Sequence, residues 1–129
     1  MAKMCSTVVL AGACDLIAAN VSRIVLGDDT VAVSATNAES TAQNGIASAT
    51  LSTASFTLAD SSVSGKKITV AQQATLAVES TKVAGYIYLI STGATGQIYY
   101  RTSCATRAFT STSDRVTIPA WDIHFYDAT

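Results

Sequence analysis

Hydrophobic positions change their spacing along this chain, and each change marks an element. From residue 9 to 24, Val9, Leu10, Ala13, Leu16, Ile17, Val21 and Ile24 recur every three or four positions and trace one face of a helix. The spacing predicts an α-helix over about residues 7–21, with Ser6 or Thr7 supplying the side-chain oxygen that caps its first free N–H groups. Asn20 and Ser22 favour an exit, and Arg23, Ile24, Val25 and Leu26 read as a short strand closed by a turn at Gly27, Asp28 and Asp29. Residues 31–48 then lose any period and read as a long polar loop, with Asn44-Gly45 as a turn dipeptide because both residues tolerate positive φ. A loop of that length in a compact domain is often functional or ordered by a partner, although an ordinary surface excursion has the same signature.

Beyond the loop the period becomes two. Ala54, Phe56 and Leu58 alternate with Thr53, Ser55 and Thr57, the pattern of a half-buried strand. Residues 60–65 are turn chemistry, residues 66–71 a strand with Ile68 and Val70 inward, and Ala74, Leu76 and Val78 another. Residues 84–91 are apolar on both parities, so this strand should be covered on both sides, in the middle of a sheet or at an interface. Gly93 and Gly96 predict a hairpin into residues 97–102, antiparallel by the length of the connection. Residues 108–110 add a brief strand, residues 111–114 a turn, and a last strand runs from Val116 to Phe125 with an edge, bend or bulge at Pro119, which has no N–H for the ladder. The expected fold is therefore mainly β: one domain over residues 1–129, an antiparallel β-sandwich or barrel of about eight short strands with one N-terminal α-helix over an open end or edge.

Composition changes the picture in one respect. Charged residues make up 13% of the chain, about half the usual share, whereas Ser and Thr together number 33 and Ala 22. The outside must be neutral and shallow, and such surfaces repel their neighbours weakly. Disorder would need low hydrophobicity and high net charge, and here the mean hydropathy is +0.34 and the net charge -1. With only eight basic residues, dispersed along the chain, no cluster for nucleic acid or an anionic membrane is expected. No apolar run has the 18 or more residues of a membrane span. Cys5, Cys14 and Cys104 are an odd set without zinc-site spacing and read as reduced, partly buried thiols. The stretch from Lys3 to Cys14 imitates a secretory or lipoprotein signal, yet Ala11 stands where a lipobox wants a large aliphatic residue and Leu10 is one place too early. A reducing cytoplasm is the expected place of synthesis.

Candidate chemistry is sparse. Asp122, His124 and Asp127 are the best cluster of titratable groups, but alternation puts His124 with Asp122 on the polar face opposite Trp121, Ile123 and Phe125, where solvation explains them. Asp28-Asp29 beside Thr30 offers oxygens to a calcium ion, and two adjacent acids rarely suffice. The sequon Asn20-Val21-Ser22 is assigned no role. No catalytic residue, metal or cofactor is expected. Tyr86, Tyr88, Tyr99 and Tyr100 lie on two strands joined by a short turn, so that some rings should neighbour each other across the sheet. They fit a sugar-binding platform if exposed, a protein interface if half exposed, and a plain core if buried. With Trp121 they form the candidate contact set.

Three motifs in order add a resemblance. Asn20-Val21-Ser22-Arg23-Ile24-Val25-Leu26 closes the leading helix. Phe56-Thr57-Leu58-Ala59-Asp60 precedes Ser64-Gly65-Lys66-Lys67-Ile68-Thr69-Val70. Val116-Thr117-Ile118-Pro119-Ala120-Trp121-Asp122-Ile123 leads to a terminal Asp127-Ala128. Over about residues 14–128 the chain resembles a group of small tailed-bacteriophage structural proteins encoded among head and tail morphogenesis genes, departing from it in the loop at 31–49. The resemblance implies a non-enzymatic virion component. We expect a decoration or cement protein on the head exterior, made in the host cytoplasm and bound to the major capsid protein or other virion proteins, as a homotrimer or homodimer. The shell contact is expected on the N-terminal segment or the long loop. A tail or neck protein and a carbohydrate-binding host-attachment module are the alternatives.

Overall fold

The computed structural model describes residues 7–62, 65–92 and 95–126. Helix α1 spans Thr7–Asn20 and buries Leu10, Cys14 and Ile17, with Val21 just beyond its end. These four sit at intervals of four, three and four and share one narrow stripe of the helix surface. Val9 and Leu16, expected on the same face, are 62% and 57% exposed. At about 100° per residue they lie roughly a quarter-turn or more away from that stripe, and the surface α1 rests on is too narrow to reach them. Asn20 Nδ2 donates to the Leu16 carbonyl at 2.8 Å and so satisfies one of the last free acceptors of the helix.

Three antiparallel sheets follow, which makes the fold mainly β and sandwich-like, with no closed barrel among the described residues. Strands β1 (Arg23–Asp28), β2 (Gly45–Thr50), β6 (Val83–Ile90) and β7 (Ile98–Ala108) form a sheet in the order β2-β1-β6-β7. Strands β3 (Phe56–Asp60), β4 (Lys66–Val70) and β9 (Trp121–Phe125) form a second, with β4 central, and β5 (Gln73–Ala77) pairs with β8 (Arg115–Ile118). The described residues thus form nine strands where about eight were expected. One reason is Pro119. Instead of kinking one long strand, it stands at a corner where the chain leaves β8, paired with β5, and enters β9, paired with β4. Two further expectations are corrected. Residues 98–108 are one strand, not two, and Thr53–Ser55 form a 3-10 turn ahead of β3. The expected turn at Gly93 and Gly96 falls partly outside the described residues.

The main core lies between the four-stranded sheet and the rest of the molecule. Ile24, Leu26, Ile46 and Leu89 meet Ile68, Val70, Ile118 and Ile123 there, and α1 adds Cys14 and Ile17. The apolar strand expected at 84–91 is indeed internal, flanked by β1 and β7. Its other face needs a cover of its own.

That cover is the segment expected to be a polar loop. Ala32, Ala35 and Ala38 pack on Val25, Tyr88 and Ile90 as a second, smaller core. Residues Ala35–Glu39 form a short helix, α2, capped by Ser34, whose Oγ accepts from Asn37 N at 3.1 Å. Arg23 reaches Glu39 at 2.5 Å, and Lys82 Nζ donates to the Thr41 carbonyl at 2.8 Å and also to that of Gln43. Asn44 is buried and donates to Asp28 Oδ1 at 2.9 Å and to the Thr30 carbonyl at 3.1 Å. The positive φ expected at Asn44-Gly45 does not occur. Gly45 instead answers a close approach, because a Cβ there would stand 2.5 Å from the Glu39 carbonyl oxygen. The stretch expected as one polar loop thus contains α2 and the start of β2, and it is held by contacts within the chain.

Candidate interaction surfaces

The tyrosine hairpin splits across its sheet. Tyr86 pairs with Ser103, Tyr88 with Arg101 and Leu89 with Tyr100, so no two of the four tyrosines stand opposite each other. Successive residues of a strand point to opposite faces. Tyr88 is fully buried against the alanines of the 32–38 segment, and its hydroxyl accepts from Ala32 N at 2.9 Å. Burial pushes its phenol up from the ordinary value, more than the hydrogen bond from Ala32 and the charge of Arg101 lower it. Tyr86 is half-buried beside Tyr88, rings 6.3 Å apart and tilted by 45°, with the Arg101 guanidinium 5.8 Å from its ring centre. Tyr99 and Tyr100 are half-buried against the main core, and Tyr100 meets Trp121 at 5.5 Å with a tilt of 35°. Neither tilted pair supplies the flat, coplanar face on which a sugar ring stacks. Tyr88 belongs to the core, whereas Tyr86, Tyr99, Tyr100 and Trp121 keep part of their surface.

At the end of β9, alternation places Asp122 and His124 outward as expected, with Ile123 buried. Asp122 accepts from Thr69 Oγ1 at 2.6 Å and from Lys67 Nζ at 3.4 Å. The Thr69 hydrogen bond holds its carboxyl below the ordinary range against an opposing desolvation, with the charge of Lys67 adding a smaller lowering. Ser61, which the sequence did not single out, lies 3.1 Å from His124 Nδ1, while Asp122 Oδ2 stands 4.0 Å from Nε2. A nucleophile needs its histidine oriented by a hydrogen-bonded carboxylate. Here the carboxylate is beyond hydrogen-bond reach and already engaged by Thr69 and Lys67. The His124 ring instead stacks on Tyr126 at 5.3 Å and 5°. Asp127 lies outside the described residues.

Asp28 Oδ1 accepts from Thr30 N at 3.0 Å as well as from Asn44, so the acidic pair at 28–29 includes an Asx turn. No group of three or more His, Cys, Asp or Glu that could hold a metal ion occurs among the described residues. Cys14 is buried and Cys104 half-buried, both free, and burial pushes both thiols up; for Cys14 the neighbouring Asp15 adds to the rise. Cys5 lies outside the described residues.

Two surface features remain. Val8, Val9 and Leu16 on α1, and Val31 and Val33 ahead of α2, are the most conspicuous exposed aliphatic side chains, with Val8 at 77% and Val33 at 86%. Periodicity alone missed them because it assigned Val9 and Leu16 to the core. Beside β7, a cleft of about 710 Å³ opens between that strand and the segment running from β8 through Pro119 to Trp121. Comparison with protein families, with curated proteins and with solved structures finds no match for this chain. Fold and surface therefore carry the functional argument.

Proposed function

We propose that this chain is a non-enzymatic structural component of a tailed-bacteriophage particle, a decoration protein bound to the outside of the major capsid shell. The observation that supports this reading is the exposure of Val8, Val9 and Leu16 on α1 and of Val31 and Val33 beside α2. Both groups fall on segments expected from the sequence to make the shell contact. Large aliphatic side chains left in water gain about 25 cal/mol per Å² when a partner covers them. Each patch alone is modest. Many copies on one lattice add such contacts into a firm coat, and the low charge density of the chain lets the copies crowd together.

Quantitative gels of purified particles test the proposal. A decoration protein is present in copies on the order of hundreds, as the symmetry of a shell requires, whereas a tail or neck protein is present in about a dozen or fewer. His124→Ala is expected to leave particle assembly intact, because the contacts of the ring with Ser61, Tyr126 and Asp122 all lie within the chain. Loss of assembly in that variant would speak for a role of the Ser61–His124 contact that this reading does not contain.

A further inference from the structure

We propose that the cleft beside β7 is an acceptor for an extended, acidic segment of another protein, which lies between β7 and β8 as an added strand. This goes beyond the virion reading and stands or falls without it. Leu26, Ile87, Phe109, Val116 and Trp121 give the cleft an apolar lining, and both long walls are strand edges. Among the described residues β7 is the terminal strand of its sheet and pairs only with β6, and β8 pairs only with β5. Consecutive residues 102–107 of β7 and 116–119 at β8 line the cleft, as expected where a strand presents its edge rather than one face. A compact apolar molecule would cover the backbone N–H and C=O groups of such an edge without satisfying them, whereas an extended peptide satisfies them and inserts every second side chain. Trp121, which lines the cleft, has a buried Nε1 that donates to no acceptor among the described residues.

Charge selects the occupant. β7 carries Arg101 and Arg107, β8 carries Arg115, and neither strand has an acid. Tyr86 pairs with Ser103 but Ala84 with Arg107, so β7 holds two more residues than β6 over this interval. Such a bulge re-aims side chains. Arg101 lies over Tyr86, on the face turned to the smaller core, whereas Arg107 lines the cleft with its guanidinium 4.7 Å from the Phe109 ring centre. The ion pairs of the described residues do not include Arg107. A second copy pairing antiparallel through β7 would gather two arginines from each chain along one seam, and like charges opposite each other destabilise a ladder. A segment with alternating aliphatic residues and a carboxylate fits both the lining and Arg107.

The single tryptophan makes the test direct. Trp121 fluorescence of the full chain is titrated with the blocked hexapeptide Thr-Val-Asp-Val-Thr-Val, with the same peptide carrying Lys for Asp, and with a version N-methylated at alternate amides. The expected result is saturable binding of the Asp peptide, roughly fivefold weaker binding of the Lys peptide, and none of the methylated one. Arg107→Glu, at an exposed site and with an unchanged far-ultraviolet spectrum as the control for folding, should reverse the charge preference. The proposal is overturned if no peptide saturates the signal at millimolar concentration, if methylation makes no difference, if an apolar dye competes as well as peptide, or if the cleft is instead covered in a concentration-dependent dimer. Copy number in particles is unaffected by any of these results.

Discussion

The Tyr88 hydroxyl, on an inner strand of the four-stranded sheet, accepts a hydrogen bond from the backbone N–H of Ala32 at 2.9 Å. Fifty-six positions separate the two residues, and both are buried. The bond ties the 30–38 segment down over Val25 and Ile90 and holds the exposed Val31 and Val33 on either side of an anchored residue. Tyr88→Phe keeps the ring and removes the acceptor, leaving a buried N–H unpaired. We expect a loss of about 1–2 kcal/mol in urea unfolding with the slope unchanged. An unaltered midpoint would mean that water or a carbonyl replaces the hydroxyl.

Gly27 faces the same ring. A Cβ at residue 27 would stand 2.6 Å from Tyr88 Cε2, and Tyr88 has no free space into which to turn. Gly27→Ala should therefore destabilise by about 1–3 kcal/mol through overpacking, with the largest amide shifts in residues 30–38. The double variant Gly27→Ala, Tyr88→Phe should show coupling, since both changes act on one ring. Additive losses would separate them.

Asp122 supplies a pH signature. Its carboxyl is held below the ordinary range chiefly by the Thr69 hydroxyl, so the contribution to stability is present above the unfolded-state value near pH ~4 and is lost as pH falls through the lower folded-state value. Thr69→Val should move the Asp122 titration upward, followed by its carboxyl carbon shift in NMR, and remove part of the stability lost on acidification. A titration that stays in place would assign the shift to Lys67 instead.

The cysteines give a kinetic check. Cys14 is buried in α1 and its thiol is raised, so at neutral pH it is both covered and protonated. In a chain with Cys5→Ser and Cys104→Ser, a thiol-specific disulfide reagent should react with Cys14 only as fast as the helix opens, and the rate should climb with urea. Rapid labelling in the native state would show that α1 is loosely docked.

Much of this architecture is legible in the order of residues, because alternation and three-four spacing follow directly from which faces are buried. Ile68 and Val70 and the inner strand at 83–90 were visible that way, whereas Pro119 was expected to bend one strand and instead separates two strands of different sheets. The 31–44 segment was not, since its packing rests on Ala32, Ala35 and Ala38, and alanine is common throughout the chain. Their spacing of three was the available signal. The tyrosines were legible as residues but not as neighbours: register decides who meets whom, and a bulge in β7 shifts it. The cleft was invisible, because it depends on two edges that belong to different sheets.

Locating the chain in a reconstruction of the whole particle of the virus that encodes it tests the central claim most directly. The account predicts this mainly β domain in regular array on the outer surface of the head, with Val8, Val9 and Leu16 or Val31 and Val33 turned to the shell. Density for the domain confined to the tail or neck, or particles that contain none of it, would contradict the account.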